Sequence, residues 1–335
     1  MNRYVVLALS IVLALVVLLG AAAGYAWHWS NKAIDLPGET VQFVVSQGNG
    51  ARQVAGALND AGVSLNADAF VALARYTGLH TQLKAGTYEI GPGVSPLMLL
   101  ERMARGDMVQ QRFTLVEGWT YQRIRQALRE AKGVKQTLAD ISDEELLRRL
   151  GAEAYPSPEG LFLPDTYVFA PGTSDYQVLE QAYKAMQSHL STIWEQRAPD
   201  LPLANPYEAL ILASIVEKET GHGEDRARVA GVFINRLRRG MLLQTDPTVI
   251  YGMGEQYQGR IRKRDLQTDT PWNTYTRGGL PPTPIASPGR AALRATLDPE
   301  SHQYFYFVAR GDGTSEFSRT LSEHNRAVGR YILGR

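Results

Sequence analysis

The chain contains 335 residues, with 35 lysines and arginines, 34 aspartates and glutamates, and a formal net charge of +1. This length predicts two or three folded units rather than one small domain. Because charges of both signs are spread along the chain, no polyanion-binding surface is indicated and nucleic acid is not expected as a partner. The sequence has no cysteine, which excludes disulfides, thiolate metal sites, a cysteine nucleophile and a lipidated-cysteine anchor.

The first apolar segment, YVVLALSIVLALVVLLGAAAGYAW at residues 4–27, has no charged side chain. As a helix it would extend roughly 36 Å, enough to cross a bilayer. A cleaved signal peptide is the alternative, since GAAAGYA resembles a cleavage region, but the run exceeds the roughly 7–15 apolar residues usual there. Arg3 precedes the segment and Lys32, Asp35 and Glu39 follow it, which favours residues 1–3 in the cytoplasm. We therefore predict a retained single-pass anchor with the remaining chain outside the cytoplasm.

After the anchor, residues 28–39 have no clear periodicity and contain Pro-Gly, so a short tether is predicted. A compact α+β module is expected over residues 40–110. Its pattern is a strand (VQFVV), a helix closed by Gly62, a second helix capped by Asn66 and ending at Gly78, and a returning strand in AGTYEIGPG. Ser95 and Pro96 then predict the start of another helix.

Residues 111–335 form the second predicted α+β region. QQRFTLVEGWT is typical of a strand leading to Thr120, which can cap the next helix. The segment EGLFLPDTYVFAPGTS, residues 159–174, favours an ordered loop. Further on, the pattern predicts two helices at 206–220 and about 224–239, a hairpin in YFYFVARGDGTSEFS and a last helix near 320–333.

The stretch ILASIVEKETG, residues 211–221, places two glutamates and a lysine at the end of an otherwise apolar helix. Asn205 can cap this helix and Pro206 can occupy its first turn. Gly221 is predicted to end it in the left-handed conformation. The helix is therefore expected to be buried along most of its length and to carry its charges at one end.

The two glutamates point in different directions. At roughly 100° per residue, Glu219 continues the face of Leu212, Ile215 and Val216, whereas Glu217 falls beside smaller side chains. Partial burial raises the pKa of a carboxyl, and the exposed carbonyls at a helix C-terminus act in the same direction. A carboxyl that keeps its proton near neutral pH can protonate a glycosidic oxygen, so Glu219 is the candidate general acid.

The alternative is that Glu219 has only a structural role. Glu219 could form a surface ion pair with Arg226 or Arg228. For Glu217 a salt bridge or a loop contact is favoured over catalysis, and Lys218 is predicted to be a solvent-facing charge.

Two long segments, residues 236–254 and 269–289, are weakly periodic and rich in hydroxyl, amide and aromatic side chains. Long irregular connections in a compact domain are usually functional or disordered, and the aromatic content argues against disorder. Their side chains are of the types that line a carbohydrate groove, namely Gln244, Asp246, Thr248, Tyr251, Trp272, Asn273 and Tyr275. Alternatively, Asp246-Pro247 starts a turn and Tyr251 belongs to the core.

Other enzyme classes find little support in the sequence. There is no HExxH pair, no GxSxG elbow and no P-loop, and Ser214 to Lys218 has the wrong spacing for SxxK. The six histidines are scattered, so no metal site and no cofactor are predicted.

Several longer motifs together resemble the endolytic murein transglycosylases of the MltG (YceG-like) family. They are LKAGTYEI, LVEG, EGLFLPDTY, SIVEKET, VFINRL, LQTDPTVIYGMG, NTYT, GLPPTPIASPG and a terminal HN pair. The resemblance implies an inner-membrane protein with a periplasmic body, a LysM-like module at 40–110 and a catalytic domain at 111–335 related to lytic transglycosylases. It places Glu219 at the catalytic position and leaves His222 and Glu224 without a role. The residues implied as sugar contacts are Gln244, Asp246, Thr248, Tyr251, Asn273, Tyr275 and Asn325.

The implied reaction cuts the β-1,4 bond between N-acetylmuramic acid and N-acetylglucosamine inside peptidoglycan strands, leaving 1,6-anhydro ends and helping to terminate glycan elongation. Peptidoglycan synthases, the penicillin-binding proteins, are the implied protein partners. Two alternatives remain open at this point. One is a hydrolytic muramidase with Asp246 or Glu217 as second carboxylate, and the other is a non-catalytic wall-binding scaffold.

Overall fold

The structure is a computed structural model that describes residues 3–334. Of the predicted cytoplasmic segment 1–3, Met1 and Asn2 lie outside the described residues. The chain divides into two compact units. Unit 1 contains the described residues up to Gln111 together with Phe169–Pro171, and unit 2 contains Arg112–Val168 and the chain from Gly172 onward.

Unit 1 begins with one long apolar helix, α1 (Arg3–Asn31). An 18-residue window of this helix has a mean hydropathy of 3.0, and the helix has the length and composition to cross a membrane, properties that an N-terminal signal sequence shares. The helix continues through residues 28–31, which the sequence assigns to a tether. Its last turn is held by packing, because Ser30 is buried and Trp29 packs against the core of unit 1. The tether prediction is therefore wrong for these residues.

The rest of unit 1 follows the predicted strand, helix, helix, strand order. Its elements are β1 (Val41–Val45), α2 (Ala51–Asp60), α3 (Ala67–Tyr76), β2 (Gly86–Ile90) and α4 (Pro96–Arg105). The two strands pair antiparallel, with Val41 opposite Ile90. Side chains of β1 alternate between buried and exposed, as expected for a strand with one face on a core. Phe43 and Tyr88 stack within that core at 5.8 Å between ring centroids.

The helix starts of unit 1 are set by local capping chemistry. The Asn66 side chain accepts a hydrogen bond from the backbone N–H of Ala69 at 3.0 Å, and Ser95 accepts one from Met98 at 3.3 Å. Such caps satisfy backbone donors that have no partner inside the helix. Both predicted caps are confirmed.

Unit 2 is mostly helical. Its helices are α5 (Tyr121–Glu130), α6 (Asp143–Leu150), α7 (Asp175–Glu195), α8 (Pro206–Glu219), α9 (Gly223–Arg238), α10 (Asp246–Met253), α11 (Lys263–Gln267), α12 (Arg290–Leu297) and α13 (Leu321–Tyr331). The remaining strands form two-stranded sheets, β3 (Gln111–Thr114) with β4 (Thr166–Phe169), which belong to unit 2 except for Gln111 and Phe169, and β5 (Tyr306–Ala309) with β6 (Ser315–Ser318). The predicted hairpin is confirmed by the antiparallel pairing of β5 and β6.

Helix α8 lies at the centre of unit 2. All of its residues from Ala209 to Val216 are buried, and it packs against α9 and α12. The Asn205 cap predicted from sequence is confirmed, because its side chain accepts from the backbone N–H of Glu208 at 3.0 Å. A helix buried on all sides is fixed in position by close packing, and its last turn is therefore held rigidly.

Two local predictions about unit 2 are wrong. The segment 159–174 contains strand β4, in which Tyr167 and Phe169 are buried alternately, and is therefore not all loop. Gly221 is not in the left-handed region. Instead, Thr220 is extended, with φ −140° and ψ 127°, and its hydroxyl accepts from the backbone N–H of His222 at 3.0 Å. This hydroxyl turn leads directly into α9.

Candidate active site

A polar cavity of about 360 Å³ opens at the C-terminal end of α8. Its volume lies within the range of small-molecule sites. Side chains from α8, α9, the chain before α10, the first residue of α10, the segment 269–289, β5 and α13 meet there. The lining residues are Glu219, Phe233, Arg236, Leu243, Gln244, Asp246, Tyr275, Tyr306, Phe307, Leu321 and His324.

Glu219 is the last residue of α8, and its carboxyl gains or loses its proton near neutral pH. Burial raises its pKa to about 7, and the charge of Asp246 acts in the same direction. A hydrogen bond from the Thr245 hydroxyl and the charge of Arg236 oppose the rise. The predicted direction of the pKa is confirmed. Its dominant cause is the desolvation of the carboxylate.

Glu219 does not form the surface ion pair with Arg226 or Arg228 that was the alternative to a catalytic role. Arg228 instead pairs with Glu300, at 3.0 Å between Nε and Oε1. Within residues 3–334, Glu219 has no salt-bridge partner at 4.0 Å or less. Its carboxyl is therefore held by a neutral hydroxyl rather than neutralised by a contacting cation.

The chain before α10 brings Thr245 to Glu219 through a set of buried threonines. The backbone N–H of Thr245 donates to the Thr274 hydroxyl at 3.1 Å. Thr248 lies 2.8 Å from the same hydroxyl and donates to the Thr245 carbonyl at 2.7 Å. Gln244 has a φ of 49°, a conformation uncommon outside glycine. Its backbone is held by an N–H bond to the Thr274 carbonyl at 3.1 Å.

Arg236 supplies a buried positive charge to the cavity wall. Its Nε donates to the Phe305 carbonyl at 2.7 Å, and Nη1 donates to the carbonyls of Leu242 and Leu243 at 3.2 and 2.8 Å. Burial lowers the pKa of Arg236, but a guanidinium remains charged in proteins. Arg236 therefore ties α9 to two neighbouring segments and stabilises the charged form of Glu219.

The residues predicted from the two loop segments divide into cavity and supporting positions. Gln244, Asp246 and Tyr275 line the cavity, and the Tyr275 hydroxyl donates to Asp246 Oδ1 at 2.6 Å. Thr248 is 0% and Asn273 1% exposed. Asn273 donates to the backbone carbonyls of Leu266 and Thr268, at the end of α11, at 3.1 and 2.7 Å. The last two side chains therefore fix the loops rather than face the cavity.

Tyr251 and Asn325 are also absent from the cavity wall. Tyr251 packs edge-on against Trp272, at 5.4 Å between ring centroids. Asn325 is exposed on α13, while its neighbour His324 lines the cavity. The sequence reasoning missed His324, Arg236 and Tyr306. His324 belongs to the HN motif and Arg236 to the VFINRL motif, so these two motifs could have indicated them.

Glu217 occupies a different environment from Glu219. Its Oε2 accepts from the backbone N–H of Gly289 at 3.0 Å, which confirms the predicted loop contact. Burial raises its pKa, yet it does not line the cavity. Lys218 is exposed, as predicted, and donates to the Gly118 carbonyl at 3.3 Å.

A second acid, Glu159, is buried in the segment EGLFLPDTY. It is 3% exposed, and it accepts from the backbone N–H of Tyr121 at 3.0 Å and from the Tyr251 hydroxyl at 3.1 Å. Burial raises its pKa from 4.5 to about 7. Glu159 thus links α5 to α10 and titrates in the neutral range without facing the cavity.

The substitution Glu159→Gln is expected to flatten the pH dependence of stability. The folded chain binds this proton more tightly than the unfolded chain, whose carboxyl has a pKa near 4.5. Its contribution is therefore complete below that value and is lost as the pH rises through about 7. Between pH 5 and 8 the free energy of unfolding should fall by about 2 kcal/mol more in the parent than in the variant. Urea unfolding at both pH values measures the difference, and parallel curves would contradict the assignment.

Metal ligation finds no support in this part of the chain. Across residues 3–334, no group of three or more histidine, aspartate or glutamate side chains is arranged to hold an ion. The cavity presents a carboxyl with a raised pKa, a neighbouring guanidinium, the hydroxyls of Tyr275 and Tyr306 and the amide of Gln244.

Comparison with known proteins gives a consistent result. Residues 43–330 match the model of the YceG-like family. An endolytic murein transglycosylase of Bacillus subtilis is 30% identical over 88% of this chain and 85% of its own length. One from Streptococcus pneumoniae is 28% identical over 86% of this chain but only 58% of its own length. The crystal structure of a YceG-like protein from Listeria monocytogenes, 31% identical, superposes with a TM-score of 0.57 over 86% of this chain and 99% of that one. The chain belongs to the YceG-like family.

Proposed function

We propose that this chain is an endolytic murein transglycosylase, a lyase that cuts the β-1,4 bond between N-acetylmuramic acid and N-acetylglucosamine within peptidoglycan strands. The observation that carries the proposal is the carboxyl of Glu219, whose pKa is raised to about 7 at the wall of a cavity of about 360 Å³. The names of the relatives in Bacillus subtilis and Streptococcus pneumoniae supply the substrate class.

One carboxyl serves both steps of the proposed reaction. As an acid, Glu219 gives its proton to the glycosidic oxygen, and the N-acetylglucosamine side leaves as an alcohol. As a carboxylate, it then takes the proton of the muramic acid 6-hydroxyl while that oxygen bonds to the anomeric carbon. The product is a 1,6-anhydro end, no water is consumed, and Glu219 regains its proton.

The surroundings of Glu219 suit this double role. Burial and Asp246 favour the acid, while Thr245 and Arg236 favour the carboxylate. A pKa near the working pH lets one group donate and accept a proton at comparable cost. Gln244, Asp246 and Tyr275 are proposed to contact the sugar, since they line the same cavity.

A hydrolytic muramidase is the second candidate, because Asp246 also lines the cavity and could serve as the second carboxylate of a hydrolase. Mass spectrometry of digested murein separates the two reactions. The proposed reaction yields anhydro ends that are lighter by one water than the reducing ends left by hydrolysis. Reducing ends as the main product would replace our proposal by hydrolysis, and the absence of soluble products would favour a wall-binding scaffold.

We propose further that α1 is a retained inner-membrane anchor, with the N-terminus in the cytoplasm and both units in the periplasm. Its support is the continuity of α1 with unit 1, since a cut after Ala26 would sever a helix whose next turn packs into the core. N-terminal sequencing of the membrane-extracted protein tests this, and a mature terminus beyond residue 23 would rule it out. In that compartment the LysM-like unit 1 would hold glycan, and cleavage beside peptidoglycan synthases would terminate strand elongation.

The activity is expected to decline as the pH rises through about 7, because the acid form of Glu219 is lost. Thr245→Val removes a hydroxyl that stabilises the carboxylate, so the pKa of Glu219 should rise further. The alkaline limb of kcat/KM should then move upward by about one pH unit. Thr192→Val, on the exposed surface of α7, is the control and should leave the limb in place. A limb that stays fixed or moves downward in Thr245→Val would contradict this role.

A further inference from the structure

His324 is a histidine of the cavity whose hydrogen-bonding groups the protein leaves unused. It lies in the first turn of α13 and lines the cavity that contains Glu219. Its Nδ1 is buried without a partner. Neither ring nitrogen has a hydrogen-bond partner within residues 3–334. Buried polar atoms are normally paired, so an unpaired one beside a cavity calls for an explanation.

The contrast with His302 shows that the protein can satisfy a histidine fully. The Nε2 of His302 lies 2.8 Å from the Arg228 carbonyl, and its Nδ1 accepts from the backbone N–H of Tyr304 at 3.0 Å. His189 and His222 also carry an unpartnered nitrogen, but neither lines the cavity of Glu219. His324 alone among these combines an unused nitrogen with a place at the candidate site.

The imidazole of His324 is held firmly in place. It stacks on the Tyr306 ring at 5.3 Å between centroids, with 23° between the planes. The Arg236 guanidinium contacts the same ring, 5.1 Å from its centroid. Helix α13 is fixed at this end by a reciprocal cap, in which Glu323 N–H donates to the Thr320 hydroxyl at 3.2 Å and Thr320 N–H to the Glu323 carboxylate at 3.1 Å. An aligned side chain in a packed stack loses little freedom when it binds a ligand.

The charge around His324 selects its neutral form. Burial lowers its pKa, and the positive charge of Arg236 lowers it further. A neutral imidazole has one N–H donor and one acceptor nitrogen. This combination matches the hydroxyl and acetamido groups of a glycan, which also donate and accept without carrying charge.

We infer that His324 binds the glycan directly, by a hydrogen bond between its ring and a hydroxyl or acetamido group of a sugar in the cavity. The identity of the ligand rests on the proposed function. That His324 binds a ligand at all is inferred from three observations. Its ring nitrogens have no partner, it lines the cavity, and it stacks on Tyr306. In this role His324 positions the substrate relative to Glu219.

The test uses a full-length protein that binds without cutting. In a Glu219→Gln background, affinity for peptide-free murein glycan strands is measured by calorimetry for His324, His324→Phe and His324→Gln. Phenylalanine keeps the stack on Tyr306 but removes the hydrogen bond, and affinity should fall about five- to ten-fold. Glutamine should recover part of the loss. Ser322→Ala, on the exposed side of α13, should bind as the parent does.

A second readout separates contact from a structural effect. The ring ¹⁵N signals of His324 should shift on addition of glycan strands, while the thermal midpoints of all the variants should agree. Unchanged affinity in His324→Phe, or no ¹⁵N shift, would overturn the inference, as would a parent that binds no strands. Failure of the proposed function is seen separately, as the absence of murein cleavage by the unmodified protein. The binding assay does not depend on that turnover.

Discussion

Replacing Glu219 with glutamine is expected to abolish murein cleavage, lowering kcat/KM by about 10⁴-fold. General acid or base catalysis by one positioned side chain contributes roughly 10²–10⁴-fold, and here one carboxyl performs both steps. Glutamine has the same shape and an amide oxygen that can still accept from the Thr245 hydroxyl. The variant should therefore fold like the parent, and its loss should fall on kcat rather than on glycan binding.

The release of soluble muropeptides from purified murein measures the effect, with circular dichroism to confirm the fold. Glu224→Gln provides a matched control, because Glu224 is an exposed acid in the first turn of the neighbouring helix α9 and should remain fully active. A Glu219→Gln variant that releases muropeptides at more than a few percent of the parental rate would remove Glu219 from the mechanism.

Gly160→Ala is expected to destabilise unit 2 by about 2–5 kcal/mol. Gly160 has a φ of 78°, and an added Cβ would lie 2.5 Å from Pro284 Cβ and 2.7 Å from its Cγ. A left-handed backbone costs a non-glycine residue roughly 1–2 kcal/mol, and overpacking a rigid neighbour adds about 1–3 kcal/mol. A proline ring cannot rotate away, so the strain has no inexpensive release.

Chemical denaturation of the full-length chain measures this change. Gly221→Ala is the control, because Gly221 has no atom within 4 Å of an added Cβ and no positive φ. Its free energy of unfolding should change by less than about 0.5 kcal/mol. Equal stability of Gly160→Ala and the parent would show that the approach to Pro284 is not a packing constraint.

The close approach at Gly160 also brings two motifs that are distant in the sequence into contact. EGLFLPDTY contributes Gly160 and the buried acid Glu159, while GLPPTPIASPG contributes Pro284. The two segments are in direct contact, and Glu159 reaches α10 through Tyr251. The two motifs therefore pack against each other and contact α10, the helix that follows Thr245 in the chain.

Features fixed by neighbouring residues could be predicted from the sequence. Caps such as Asn66, Ser95 and Asn205 depend on side chains three residues from the N–H groups that they satisfy, so a short window contains all the needed information. The same holds for the direction of Glu219, because the helical repeat places it on the face of Leu212 and Ile215. Its raised pKa follows from burial of that face.

Features that depend on distant contacts could not be predicted. Thr248 and Gln244 are both polar residues of one weakly periodic segment, but only the folded chain shows that Thr248 lies in α10 and bonds inward to Thr274 while Gln244 lines the cavity. Likewise, His324 reaches the cavity only because α13 packs against β5. Periodicity does not tell which face of an amphipathic helix meets a site rather than solvent.

The unbroken course of α1 has a consequence for where the protein can work. Its last turn packs against the core of unit 1, so no flexible linker separates that unit from the apolar part of the helix. A retained α1 would therefore hold unit 1 at a fixed distance from the bilayer surface. In the orientation that we propose, unit 1 would then bind only glycan that lies close to the membrane.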